Sequence, residues 1–166
     1  MRACSDTNKP EAMSEKNTQL KVSAIKDGTV LDHIPAQNIF QVIDILDLSH
    51  AKNPVTIGVN LESKSLGRKG IIKIADRFFA DEELGRIALA APDATVNVIR
   101  DYEVVSKKKI DIPSEVIGIA KCSNPMCVTN RQPVTTRFTT LVDHKKVKLL
   151  CHYCEKTTEE FIPLRH

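Results

Sequence analysis

The sequence of 166 residues contains no tryptophan, and aromatic residues make up only 4% of it. Its core must therefore be built from aliphatic side chains, without the large buried area that aromatic rings supply. The net charge of +3 is too small to indicate a nucleic-acid or membrane partner. No apolar run approaches the roughly 18 residues needed to cross a bilayer. The polar first 19 residues lack a signal-peptide pattern, which favours a cytoplasmic location.

Recognisable catalytic motifs are missing as well. The chain has no glycine-rich phosphate loop, no H-E-x-x-H or G-x-S-x-G motif, and no suggestive pair of acidic residues. Lys69, Lys73 and Lys107 fall on or beside predicted strands, and Asp32-His33 ends an early one. Lysines on strands are most often solvated, so these residues alone indicate only a small binding or regulatory domain. We expect no catalytic residues.

What the sequence does contain is a cluster of cysteines. Cys4 stands apart, and the other four are Cys122, Cys127, Cys151 and Cys154. A C-x4-C pair followed after 23 residues by a C-x2-C pair is typical of zinc held by two loops. Four thiolates fill a tetrahedral shell, so one Zn²⁺ per chain is expected, in a structural role. Two disulfides, or a redox-active second pair, are the alternatives.

Composition divides the chain into three parts. Residues 1–18 contain few apolar side chains and are predicted to form a disordered tail, in which Met13 offers an alternative translation start. Residues 19–112 alternate between strand-like and helix-like segments, and residues 113–166 hold short β-rich runs between the cysteine pairs. A second domain this small needs a cross-link to stay folded, and a bound zinc ion supplies one.

The pattern of residues 19–112 predicts an α+β fold of the ferredoxin-like type, a sandwich of two helices on one antiparallel sheet. Strands are predicted at 20–25, 29–31, 55–61 and 70–75, with a last long strand over 95–105. One helix begins at Pro35, and its predicted inner face is Ala36, Ile39, Phe40, Ile43 and Leu46. The other has Asp81 as its N-cap, with Leu84, Ile87, Ala88 and Ala91 inward. A small all-β, zinc-ribbon-like domain follows.

Zinc ribbons often bind nucleic acid, so the charge of residues 113–166 bears on their function. They carry eight Lys or Arg against five acidic residues, and four thiolates with one Zn²⁺ bring the domain to about +1. A surface that reads phosphates is normally far more basic. Nucleic-acid binding is therefore the alternative function, and a stand-alone metalloenzyme is disfavoured because four thiolates leave no open metal position.

Several motifs, taken together and in order, resemble one known family. They are Gly28-Thr-Val-Leu-Asp-His-Ile-Pro-Ala-Gln37, Ile57-Gly-Val-Asn-Leu61, Gly67-Arg-Lys69, Ala91-Pro-Asp-Ala-Thr-Val-Asn97, Tyr102-Glu-Val-Val105 and the cysteine pairs ending in Cys151-x-Tyr-Cys154-Glu-Lys156. Over about residues 19–160 the sequence resembles the regulatory chain of aspartate carbamoyltransferase. The resemblance implies a non-catalytic allosteric subunit of pyrimidine biosynthesis that binds ATP, CTP and UTP. It also implies a regulatory homodimer whose zinc domains dock on the catalytic chain and join two catalytic trimers.

The resemblance also assigns residues, in groups that follow the parts of a nucleotide. On the base side the matching positions are Val22, Ala24, Ile25 and Tyr102, through backbone groups. On the ribose they are Asp32 and Lys73, of which Lys73 also approaches the base carbonyl. On the triphosphate side they are His33, Asn97, Val104 and Lys107, and Lys69 is a further basic position near the pocket.

In the zinc domain the resemblance implies a docking surface. Asn124 and Glu155 match positions that contact the catalytic chain. Met126 stands where the family pattern carries a polar residue, so we expect one interface hydrogen bond to be missing.

Overall fold

The computed structural model describes residues 24–144, 146–159 and 161–164. The predicted disordered tail lies outside the described residues, as do Cys4, Met13 and Val22. Seven elements form the first half: β1 Gly28–Pro35, α1 Ile39–Ile45, β2 Val55–Ser63, β3 Gly67–Ala75, α2 Asp81–Ala90, β4 Thr95–Arg100 and β5 Glu103–Lys109. The second half contains β6 Glu115–Ile117, β7 Arg137–Asp143, β8 Lys146–Cys151 and β9 Thr157–Thr158.

The first half is a five-stranded antiparallel sheet with two helices. Its strand order is β2-β3-β1-β4-β5, and every paired neighbour is antiparallel. The order of the first four strands is that of the ferredoxin-like fold, to which β5 adds an outer edge. The predicted α+β class is confirmed, and strand β1 lies at the centre of the sheet.

The helices cover one face of this sheet with aliphatic side chains, as the composition requires. Ile39 and Val42 of α1 are fully buried, and the Ile39 side chain packs where β3 has Gly70. The inward face predicted for α2 is confirmed, because all four of its residues are buried. No helix in the described segments is both long enough and apolar enough to cross a membrane.

Two details of the helix predictions are wrong. Phe40 is 67% exposed, and Val42 occupies the core instead, since spacings of three and four place Ile39, Val42 and Leu46 on the inner face. Asp81 is the first helical residue rather than the N-cap, a one-residue difference at a helix end. The carboxylate of Glu83 accepts the backbone N–H that precedes the helix.

Two strand predictions are wrong as well. Residues 95–105 form a hairpin, because Asp101 and Tyr102 both have positive φ and turn the chain between β4 and β5. The predicted strand at 20–25 is not found at Ala24 and Ile25, the two of its residues within the described part. The chain there is bound to the ends of other strands, with the carbonyl of Lys26 accepting from the backbone N–H of Tyr102 at 2.9 Å.

The second half is a small antiparallel sheet in the order β6-β7-β8-β9. Phe138 of β7 is fully buried and lies in register with Val116 on one side and Cys151 on the other. An amide hydrogen bond from Gln41 of α1 to the carbonyl of Phe161 links the two halves. The division of the chain between residues 112 and 113 stays a prediction.

Candidate functional site

The four C-terminal cysteines converge on one point. Their Sγ atoms all lie within 4.8 Å of one another, with 3.6 Å between Cys122 and Cys154 and 3.8 Å between Cys127 and Cys151. Zinc–sulfur bonds of about 2.3 Å place tetrahedral ligands roughly 3.8 Å apart, whereas a disulfide brings sulfurs to about 2.05 Å. The four thiols are free of disulfides and fit a single structural Zn²⁺.

Backbone turns hold these sulfurs in place. The backbone N–H of Cys127 donates to the carbonyl oxygen of Asn124 at 3.0 Å. In the second pair, the backbone N–H of Glu155 donates to the carbonyl oxygen of Cys151 at 3.0 Å, and Glu155 has φ +54°. The side-chain amide of Asn130 donates to the carbonyls of Cys122 and Asn124 at 2.8 Å each. These hydrogen bonds give each cysteine pair the shape of a tight loop, and a metal held by both pairs would join the two loops.

The surroundings of the thiols act on their ionisation in opposite directions. Burial raises the pKa of Cys122 to about 12 and also raises the pKa of Cys151. Burial opposes ionisation of Cys154 too, but the backbone N–H of Lys156 and the side chain of Asn124 lower its pKa to about 6. Binding of a cation must displace protons from the buried thiols, so the metal affinity depends on pH.

One contact outside the ligand set supports the cluster. The hydroxyl of Thr129 donates a hydrogen bond of 3.2 Å to Cys127 Sγ. We expect Thr129→Val to lower zinc affinity about tenfold, the usual scale for losing such a partner of a metal ligand. Competition against a chromogenic chelator measures this, with Thr139→Val, at an exposed site on β7, as the matched control. Equal affinity of both variants would contradict the role of the hydroxyl.

The two predicted docking residues lie at the rim of the cluster. The side-chain carbonyl of Asn124 accepts the backbone N–H of Met126 at 3.2 Å, and Glu155 is exposed. Met126 is 66% exposed, with its sulfur 2.7 Å from a guanidinium nitrogen of Arg131. That Asn124 and Glu155 contact another chain stays a prediction.

A second group of predicted residues forms a row across the first sheet. Val30 of β1 is in register with Lys73 of β3 on one side and with Asn97 of β4 on the other. Asn97 is in turn in register with Lys107 of β5. Register partners leave a sheet on the same face. This face is the one away from the helices, because the residues that alternate with the row on the inner strands are buried in the core.

Asp32 and His33 lie beside this row at a break in β1. The register with β3 shifts between Leu31 and Ile34, and His33 has φ +60°, the left-handed conformation. The two oxygens of Asp32 lie 2.7 and 2.9 Å from the ammonium of Lys69. The backbone N–H of His33 also donates to this carboxylate at 2.7 Å. The break therefore gathers an anion, a cation and an imidazole.

These groups change each other's ionisation. Burial alone would raise the pKa of Asp32, but the hydrogen bonds from Lys69 and from the His33 backbone outweigh it and hold that pKa below its usual value. Burial lowers the pKa of Lys73, against the opposing charge of Asp32. Partly desolvated charges of both signs on the sheet face opposite the helices, which we call the open face, are typical of a binding site for a polar ligand.

Two buried polar atoms in this region lack hydrogen-bond partners within the described chain. They are Nδ1 of His33 and Oδ1 of Asn97. The imidazole nitrogen lies 3.3 Å from a carboxylate oxygen of Asp32, without the alignment of a hydrogen bond. Buried polar atoms are normally paired, so both are places where a polar ligand gains contacts.

The remaining predicted residues lie around the end of the β4–β5 hairpin. Tyr102 and Val104 are 67% and 59% exposed. Ala24 and Ile25 approach the hairpin through the backbone hydrogen bond between Lys26 and Tyr102. The structure thus brings Asp32, His33, Lys69, Lys73, Asn97 and Lys107 onto or beside one row. It leaves the predicted base-side residues, and with them Val104 of the predicted triphosphate side, at the hairpin.

Sequence reasoning missed two kinds of residue. Val30 lies at the centre of the row, and alternation with the buried Leu31 could have placed it on the face of Asp32. Thr129 and Asn130 support the cysteine loops, but a hydroxyl and an amide a few residues from a cysteine are too common to indicate such contacts.

Comparison with known proteins matches both halves to one family. Residues 20–111 match the model of the aspartate carbamoyltransferase regulatory chain, allosteric domain. Residues 114–162 match that of the same chain's metal binding domain.

Curated relatives give the same result over most of the chain. A protein of Bacteroides fragilis is 52% identical over 144 residues, which is 87% of this chain and 94% of the relative. A protein of Pyrococcus abyssi is 51% identical over 144 residues, which is 86% of this chain and 94% of the relative. One of Porphyromonas gingivalis is 47% identical over 141 residues, 85% and 93%. Each is named aspartate carbamoyltransferase regulatory chain.

Proposed function

This chain belongs to the family of aspartate carbamoyltransferase regulatory chains, which are non-catalytic, and from that premise we propose that it is a nucleotide-responsive tether. It binds nucleoside triphosphates (ATP, CTP and UTP) on the open face of its first sheet. It docks on the catalytic chain through its zinc domain, and as a homodimer it joins catalytic trimers in the cytoplasm.

The observation that carries this proposal is the polar row on the open sheet face. A triphosphate requires clustered cations and polar donors, which Asn97 and Lys107 offer toward one end of the row and His33 offers beside it, at the break in β1. A ribose requires a partner for its hydroxyl donors, and the Asp32 carboxylate, whose pKa is lowered, is held by Lys69 on the same face as Lys73. Both unpaired buried atoms gain partners when such a ligand binds.

The base would lie toward the β4–β5 hairpin. Backbone groups of Ala24, Ile25 and Tyr102 can read the ring edge of a purine or a pyrimidine, because the two bases present donors and acceptors at different positions. One pocket can thus accept both kinds of nucleotide in different ways. A nucleotide then shifts the state of the holoenzyme only by its differential affinity for the two states.

The zinc domain supplies the connection to the catalytic chain. Zinc fixes the two loops that carry Asn124 and Glu155, so the metal shapes the docking surface without taking part in chemistry. Met126 places an apolar side chain on this rim. We therefore expect a docking surface that depends on metal and contributes no catalytic group.

The experiment that tests this function is reconstitution with catalytic trimers from the same source. The chain should co-purify with them in a larger assembly, and titration calorimetry should show binding of CTP and ATP to the assembly at one competitive site. The zinc-loaded chain alone should show no carbamoyltransferase turnover. Failure to assemble, or strong salt-dependent binding of oligonucleotides, would favour the alternative of a nucleic-acid binder.

Lys73 offers a direct test of the row. Lys73→Ala should weaken nucleotide binding by about 1.5–3 kcal/mol, the scale of a hydrogen bond to a charged group, and should reduce the difference between CTP and ATP responses. Zinc content and assembly should not change, because Lys73 lies in the other half of the chain. Lys52→Ala, at an exposed position, is the charge-matched control. Unchanged affinities would show that Lys73 is a solvated strand residue.

A further inference from the structure

Lys69 and Asp32 form a close charged contact on the open sheet face. The Lys69 ammonium lies 2.7 and 2.9 Å from the two carboxylate oxygens, and the side chains are only 20% and 19% exposed. The backbone N–H of His33 occupies a further acceptor position of the same carboxylate. Exposed lysine–carboxylate pairs contribute little because water screens them, but this pair is largely withdrawn from water.

The register explains why Lys69 reaches Asp32. Lys69 is in register with Pro35, three residues beyond Asp32 along β1. The break between Leu31 and Ile34 changes the alignment of β1 with β3, and the ammonium of Lys69 meets the carboxylate there. Lys73, in contrast, is in register with Val30 and lies in the row itself. The two lysines therefore have different places in the site.

We propose that Lys69 is a positioning residue of the nucleotide site, which acts through Asp32 by holding its carboxylate in the direction of the ribose. This inference rests on the proposed function and deepens it, since it separates the lysine that orients the site from the lysine that contacts the ligand. The carboxylate, held by two fixed donors, keeps its remaining acceptor positions for the hydroxyl groups of the sugar.

The pair of Lys69 and Asp32 also sets the pH below which nucleotide affinity falls. Within the described part of the chain, the charged or titratable groups that face Asp32 are Lys69 and Lys73 on β3 and His33 on its own strand, whereas its register partner on β4, Thr95, carries no charge. With Lys69 present, the pKa of Asp32 is lowered, so the carboxylate stays ionised on mild acidification. Without Lys69 the burial of Asp32 remains, so its pKa rises and nucleotide affinity falls at a higher pH than in the wild type.

The test is a double-mutant cycle on the full chain assembled with its catalytic chain, with CTP and ATP as probes. Lys69→Gln and Asp32→Asn should each weaken binding about tenfold or more. The double variant should bind no more than about twofold more weakly than Asp32→Asn alone, because Lys69 acts through the carboxylate. Lys69→Arg should restore most of the affinity, and Lys64→Gln, which removes an exposed charge from the β2–β3 turn, should match the wild type.

A second measurement is the pH profile of binding, which a merely structural role of Lys69 would not move. The acid limb should shift to higher pH in Lys69→Gln relative to the wild type, and Asp32→Asn should keep only the part of it that protonation of the phosphates causes. This inference is overturned if the affinity losses of the two single variants multiply in the double variant, or if the acid limb of Lys69→Gln is unshifted. Either result leaves nucleotide binding by the wild type, and so the proposed function, intact. A wild-type assembly that binds neither CTP nor ATP would overturn the proposed function itself. Zinc content and thermal midpoint of each variant report on its folding.

Discussion

Removal of zinc should unfold the C-terminal half of this chain and release it from the catalytic chain. The sheet β6–β9 is short, and its buried core includes Cys122, Cys127 and Cys151 themselves beside Phe138 and Leu149. A domain of this size buries too little apolar surface to fold without a cross-link such as a bound metal ion. Zinc binding by four cysteines contributes on the order of 10–16 kcal/mol in small domains, and in them that energy is folding energy.

The measurement is a titration of the thiols in the assembled protein with an organic mercurial. One zinc per chain should be released, with free catalytic chain appearing in parallel by size-exclusion chromatography. Cys122→Ser should prevent metal retention, whereas Cys4→Ser should leave the metal content unchanged because the four converging thiols already complete a tetrahedral shell. An assembly that stays intact after complete loss of zinc would contradict the role of zinc in keeping the C-terminal half folded.

The second large effect is expected from Gly28→Ala, at the start of the central strand. Gly28 has φ +135°, and a Cβ placed there would lie 2.1 Å from the carbonyl oxygen of Ile74 on β3. The atom in the way belongs to the backbone of a paired strand, so the strands must separate or shift. We expect a loss of about 3 kcal/mol or more in the free energy of unfolding, from backbone strain together with the clash.

Because β1 also carries Asp32 and His33, Gly28→Ala should weaken nucleotide binding together with stability. Chemical denaturation and nucleotide titration measure the two effects. Gly67→Ala is the matched control, since Gly67 also has positive φ, +69°, but has open space where the Cβ would lie. It should cost only about 1–2 kcal/mol, the penalty for a left-handed alanine. Equal losses in the two variants would show that the clash with Ile74 is relieved without cost.

The fold class could be predicted from the sequence because its signals are local. Alternating apolar residues mark β2 and β3, and spacings of three and four mark α2. The predictions that failed depended on competition between local and long-range contacts. Phe40 has the same local pattern as its buried neighbours, and only the packing of α1 on β3 leaves it outside. The turn at Asp101 and Tyr102 lacks the glycine that usually indicates a hairpin, so β4 and β5 were predicted as one strand.

The metal centre was also open to prediction, since cysteine spacing is itself a geometric signal. Close pairs of cysteines can reach one ion only from tight loops, and the structure and the metal-binding family match confirm a four-cysteine cluster. The nucleotide residues came from the resemblance of the motifs rather than from composition. Their assignment to parts of the ligand stays a prediction.

By itself, then, the sequence indicated most element types, the four-cysteine cluster and the family, because propensity, spacing and motif are properties of neighbouring residues. Only the tertiary structure decided which residues meet across strands. The row from Lys73 through Val30 to Asn97 exists because antiparallel register aligns three strands distant in sequence, and the β4–β5 hairpin adds Lys107 to it. The pairing of Lys69 with Asp32 depends on the break in β1, and a shift of one residue in register would turn these side chains to the other face of the sheet.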